Sequence, residues 1–145
     1  MKEAYKVIVS AVDGSENSRK SFLRAVQIAK SNNTKLILVS IIDSSKSSSG
    51  IRYGIDIVAD EMEEIKETLE DFVKDAEETY EFSDIEIVVQ QGYPKSSLVE
   101  DVIPYYNADL IVMGASGYNA FERVLIGSIS EYVTRNAQCD VLIVR

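Results

Sequence analysis

Five short runs of Val, Ile and Leu punctuate the chain: Val7 to Val12, Leu36 to Ile42, Ile85 to Val89, Leu110 to Met113 and Val141 to Val144. Polar residues interrupt them only weakly, which is the pattern of strands covered on both faces, as in a parallel sheet. Between the runs the apolar spacing changes to three and four. Ser18 to Ser31 places Phe22, Ala25, Val26 and Ala29 on one helical face. Residues 53 to 81 align Val58, Met62, Ile65, Leu69, Phe72, Ala76 and Tyr80. Pro94 occupies a first helical position after the turn at Gly92, with Leu98, Val99 and Val102 following. Pro104 is expected to end or kink that helix. A last helix spans about Ser128 to Asn136, with Ser128 and Glu131 reading as a capping box.

The resulting order, β-α-β-α-β-α-β-α-β, predicts an α/β fold of three layers, with helices on both faces of an open, parallel, five-stranded sheet. The Ser-rich stretch from Asp43 to Arg52 reads as a flexible loop after the second strand. With 145 residues, no repeat and no linker, residues 1–145 are expected to form a single domain.

Charge refines this picture. The chain has 24 acidic residues, 15 basic residues and no His, a net charge of -9. A basic nucleic-acid groove and a polybasic membrane surface are therefore not expected. Without His there is no Ser-His-Asp or Cys-His chemistry and no His-containing zinc site. The single Cys139 makes no internal disulfide and reads as a small buried hydrophobe. The charged start and the lack of a long apolar run predict a soluble, cytoplasmic protein. Residues 55 to 86 hold 14 Asp/Glu against 2 Lys, and the remainder of the chain is mildly basic. That acidic run is most simply the solvated outer face of the second helix.

Chemistry in such sheets belongs beyond the carboxyl ends of the strands, where the strand order reverses. The segments expected there follow the first strand (Asp13-Gly14-Ser15), the second (Asp43 onward) and the fourth (Gly114 onward). The last is the most informative. Gly114 and Gly117 permit close backbone approach to a ligand, and successive amides form an anion-binding nest. Gly127 returns the chain to a helix whose first amides and dipole favour an anion. Ser128 and Ser130 add hydroxyls, and Arg123 is the cation between the glycines. Each has a plainer reading: Asp13 and Ser128 as helix caps, Arg123 as a solvated side chain, Asp43 as a loop acid, and Tyr105-Tyr106 as packing at a helix end.

The motifs VSAVDGSENS (Val9 to Ser18), GASGYNAFERVLIGS (Gly114 to Ser128) and CDVLIVR (Cys139 to Arg145) resemble those of the universal stress protein family. The middle one fits that family's G-x2-G-x9-G-[S/T] pattern at every defined position. The resemblance implies a flavodoxin-like or Rossmann-like fold akin to the adenine nucleotide alpha hydrolases, with strand order 3-2-1-4-5. It also implies binding of ATP or AMP. Because the glycine loop carries one Glu and one Arg, anion binding rests on backbone amides and a helix terminus, and help from Mg²⁺ held through the phosphates is expected. By position, Ala11, Val12, Asp13 and Ile41 would line the adenine and ribose pocket and Met113 would pack on the base. Gly114, Gly117, Gly127, Ser128 and Ile129 would hold ribose and phosphates. The last strand (Val141, Leu142, Ile143, Val144) would pair with its twin in a homodimer. Ala11, Ser116 and Asp140 depart from the Pro, the His or basic residue, and the Pro common there in relatives.

Two functions follow: a nucleotide-binding regulator or sensor of stress, and a dimeric adaptor of the same fold that binds no nucleotide. Catalysis has less support. The chain lacks GxxxxGK[S/T], lacks GxGxxG after the first strand, lacks an SGGxDS loop, and has no receiver-type acceptor Asp after the third strand. Slow ATP hydrolysis is the most such a site would be expected to support.

Overall fold

The computed structural model describes residues 4–45, 51–52, 55–115 and 126–145. Strands β1 (Val7–Ala11), β2 (Lys35–Asp43), β5 (Ile85–Gly92), β6 (Leu110–Gly114) and β7 (Asp140–Val144) form one sheet in the order β5-β2-β1-β6-β7. Every pairing in it is parallel. Counted over the strands of this sheet, that is the expected order 3-2-1-4-5. The remaining strands, β3 (Ile51–Arg52) and β4 (Ile55–Asp56), make a separate two-stranded antiparallel ladder.

The Val/Ile/Leu runs are strands because both of their faces are buried. Along β1, Ile8 points into one apolar cluster and Val9 into another. The first cluster joins Ile8, Leu36, Leu38 and Val112 to helices α1 (Glu16–Asn32) and α2 (Ile57–Tyr80), through Phe22, Ala25, Leu69 and Phe72. The Phe22 and Phe72 rings stack there, 5.7 Å between centroids. The second joins Val9, Ile37, Val39 and Ile111 to Leu98, Val102 and Ile103, and to Val133 of α5 (Ser128–Asn136). These two cores are the two interfaces of a three-layer α/β/α structure. The α2 stripe expected from the sequence is the buried one, at Leu69, Phe72 and Ala76, and most of its acids are exposed.

At the amino edge, Asp109 holds the start of β1 beside β6. Its carboxylate accepts from the Lys6 and Val7 amides at 2.8 and 3.0 Å. The Tyr5 hydroxyl donates to Asp140 at 2.7 Å, tying the same end to β7.

Three expectations need correction and one is made specific. Around Pro104 the helix is disturbed and stops at Tyr106, two residues later. α3 (Pro94–Ser96) runs into a π segment (Ser97–Val102), and α4 (Ile103–Tyr106) continues beyond it. The Ile103 amide donates to Leu98, five residues back. This wider turn lets the chain pass a residue that has no amide hydrogen to give. The capping box is absent. Gly127, extended at φ -64° and ψ 161°, is the N-cap of α5 and makes no side-chain cap. Ser128 is already the first helical residue, and the Glu131 amide bonds to the Gly127 carbonyl at 2.9 Å. Glu131 pairs instead with Arg135 at 3.0 Å. The second helix begins at Ile57 rather than near 53, because β4 takes the residues just before it. Finally, the Ser-rich segment is not wholly loop, since Ile51–Arg52 pairs with Ile55–Asp56. Residues 46–50 of that segment lie outside the described residues.

Candidate functional site

The sheet order fixes where a crevice opens. β1 leads into α1, which covers one face, whereas the chain after β6 leads into α5, which covers the other. The connections diverge between two neighbouring strands, and the space beyond their carboxyl ends is left uncovered. β1 stops at Ala11, level with Val39, while β2 continues to Asp43.

That space is a cleft open to solvent. Its floor and sides are Ala11, Val12 and Asp13 from the end of β1, Val39 and Ile41 from β2, and Met113 and Gly114 from β6. Ser18 of α1, Ile129 and Ser130 of α5, and Pro94 with Leu98 complete the lining. Most of these groups are apolar, with a few convergent polar ones, as is usual for a small-molecule site.

The polar groups are fixed by local chemistry. The Asp13 carboxylate accepts from the Ser15 amide at 2.9 Å, a turn that opens α1. Gly14 inside that turn has φ 89°, a conformation costly for any residue with a Cβ. Ser15, not Asp13, is the N-cap, its Oγ accepting from the Ser18 amide at 3.2 Å. The cap reading of Asp13 thus passes to its neighbour. On the far wall, Ser130 Oγ donates to the Gly114 carbonyl at 2.7 Å, so this hydroxyl pins α5 to the end of β6. The Gly127 amide bonds to the Ala115 carbonyl, and the Ala115 amide bonds to Val144 at 3.0 Å. The ladder adds a further pair of groups. The Val12 amide donates to the Val39 carbonyl at 2.9 Å, so Val39 turns its backbone groups toward β1. Parity turns those of Ile41 the same way, past the point where β1 has ended.

Eight of the residues singled out from the sequence line this one cleft: Ala11, Val12, Asp13, Ile41, Met113, Gly114, Ile129 and Ser130. Gly127 and Ser128 stand beside it at the start of α5 without lining it. Ser116, Gly117 and Arg123 lie outside the described residues. Sequence reasoning missed Ser18, Val39, Pro94 and Leu98. The signal for the last two was present: in an all-parallel sheet the third strand ends at the same edge as the others, so its following helix also borders the crevice. Asp43 keeps its plain reading, accepting from the Ser45 amide and hydroxyl at 3.0 and 2.7 Å. Cys139 is half-buried beside the second core rather than enclosed in it. Tyr105 and Tyr106 pack edge to face at 4.8 Å, and Tyr106 donates to Glu86 at 2.8 Å.

That last bond belongs to a titrating cluster at the opposite edge of the sheet. Lys35 pairs with Glu86 at 2.8 Å. The hydrogen bond from Lys35, and then that from Tyr106, holds the Glu86 carboxyl below its ordinary range. The same contact with Glu86 raises Lys35. Burial, then the Glu86 bond, pushes the Tyr106 phenol up to about 12. Among the described residues no group of three or more Cys, Asp or Glu is placed to hold a metal ion.

The universal stress protein family model matches residues 4–145. The chain belongs to the universal stress protein family. A Staphylococcus aureus protein named for the same family is 40% identical over 141 residues, covering 97% of this chain and 84% of its own length. Among solved structures, the universal stress protein UspA from Lactobacillus plantarum superposes with a TM-score of 0.79 at 26% identity, covering 99% of this chain and 100% of its own. A universal stress protein solved in complex with cAMP gives 0.72 at 30% identity and covers 98% of each chain. The family fold and the sheet described above are therefore the same. No helix among the described residues is long and apolar enough to cross a membrane.

Proposed function

We propose that the cleft binds an adenine nucleotide, ATP or AMP, and that the protein is a dimeric regulator or sensor of stress that responds to it. The observation that carries this reading is convergence. Residues matching the family's glycine motif and first-strand motif, far apart in sequence, line one apolar cleft at the strand-order reversal. A planar base would fit between the β1 and β2 ends, with Met113 packed on one face and Ile41 lining the pocket beside it. The backbone N–H and C=O of Ile41 lie side by side, a donor-acceptor pair suited to a base edge. Asp13 would accept from a ribose hydroxyl or an exocyclic amine. The phosphates would lie toward Gly114, Gly117 and Gly127 at the start of α5, near Ser128, with Arg123 as the neighbouring cation. Mg²⁺ would be held through the phosphates, since phosphate oxygens suit it and it keeps its waters. The relative solved with cAMP supports an adenine ligand in this family.

The dimer would form along β7, where Val141, Leu142, Ile143 and Val144 line the open edge of the sheet. Pairing with a second copy removes an exposed strand edge. The competing reading, a stress adaptor without nucleotide, leaves the shared lining unexplained.

Titration calorimetry with ATP and Mg²⁺ tests the proposal. Saturable binding is expected, and Gly117→Val should abolish it with the circular dichroism unchanged. No heat at millimolar nucleotide, or equal affinity in the variant, would sink it.

A further inference from the structure

Large hydrophobic side chains are rarely left exposed in one place without a partner. Five are exposed among the described residues: Ile57, Tyr93, Tyr105, Ile126 and Ile129. Two of them belong to or adjoin the cleft: Ile129 lines it, and Tyr93 directly precedes Pro94, which also lines it. Tyr93 is the larger of the two and is 60% exposed.

The backbone beneath Tyr93 is held firmly. The Ser97 amide bonds to the Tyr93 carbonyl at 2.7 Å, and Ser97 Oγ accepts from the Tyr93 amide at 3.0 Å. The Gly92 carbonyl accepts from Ser44 at 2.7 Å, tying the junction to the end of β2. A Cβ at Gly92 would run into Ser97 Oγ, so the chain approaches itself here as closely as a glycine allows. The result is an anchored junction: Pro94 and Leu98 line the cleft, and the residue just before them carries an exposed aromatic ring.

Resting on the adenine-nucleotide reading, we propose that the β5–α3 junction is a further wall of the ligand site and that Tyr93 is its contact residue, laying its ring against the nucleoside half of the bound nucleotide. An anchored backbone with an exposed ring suits this role: the ring reaches a base or ribose without rebuilding the site. Aromatic contact adds affinity in a cleft whose described lining has no cation and one carboxylate, Asp13. Its grip falls on the nucleoside, the part common to ATP and AMP.

The test is calorimetry of the unaltered protein, Tyr93→Ala and Tyr93→Phe, each with AMP and with ATP plus Mg²⁺. Loss of a base-aromatic contact weakens binding roughly tenfold. Tyr93→Ala should therefore weaken AMP and ATP by the same factor, with Tyr93→Phe within about twofold of the unaltered protein. An unchanged affinity in Tyr93→Ala overturns the wall while leaving the nucleotide reading standing. Loss of ATP binding alone also overturns it, by assigning Tyr93 to the phosphates. If the unaltered protein binds neither nucleotide, both readings fall.

Discussion

Single residues decide the chemistry at both edges of the sheet. At the carboxyl edge, Asp13 keeps its place in the cleft because Ser15 takes over the helix cap. At the amino edge, Tyr106 is the group whose ionisation the fold opposes most clearly. Its phenol titrates near 12 in the folded chain, against about 10 for a free tyrosine. The folded value is the higher one, so this stabilisation is complete below pH about 10 and is lost as pH rises through about 12. Chemical denaturation midpoints across that window should fall in the native protein and fall less in Tyr106→Phe. Tyrosinate absorbance should show one late-titrating ring that the variant lacks. Glu86 has the opposite sign: its folded value is lowered, so its contribution holds above the ordinary carboxylate range and fades as pH falls through the lowered value.

At the scale of elements, the π segment matters most, because Leu98, part of the cleft wall, lies within it. Ser97 opens that segment and satisfies the Tyr93 amide. Ser97→Ala leaves a part-buried N–H without its acceptor, a cost of about 1–3 kcal/mol. Thermal unfolding should move down accordingly, and amide exchange at Tyr93 should quicken; an unchanged rate there would contradict the cap. The same region shows where the sequence was legible. Runs such as Leu36 to Ile42 announced buried strands because Val, Ile and Leu have few other uses in blocks of that length. The α2 stripe was legible because Leu69, Phe72 and Ala76 repeat at helical spacing. Pro104 announced a disturbed helix, but the form of the disturbance, a wider turn just before it, is one that no periodicity reveals. Ser128 misled because S-x-x-E reads alike whether Ser is the cap or the first helical residue. Only the Gly127 backbone separates the two. Most of the cleft was legible because parallel strands bring their carboxyl ends together, but Pro94 and Leu98 required the position of β5 in the sheet.

For the whole molecule, the acidic charge and the open edges belong together. α2 packs over β5, one edge of the sheet, and the acidic run 55–86 spans that helix and enters the strand. β7, the other edge, begins with Asp140 and is otherwise Val, Leu and Ile. Self-association is therefore expected at β7. Light scattering should report a dimer that Ile143→Lys converts to a monomer with its circular dichroism retained; a variant that remains dimeric would move the interface elsewhere. The order of the strands also bears on how the chain is made. β1 lies at the centre of the sheet, yet its second neighbour, β6, is drawn from residues a hundred positions later. The Asp109 clamp on Lys6 and Val7 arrives with it. During synthesis, β1, β2 and β5 can assemble first, leaving β1 as a bare hydrophobic edge until the last third of the chain emerges. The strand that forms the floor of the cleft is thus also the one most exposed to wrong pairing before the protein is finished.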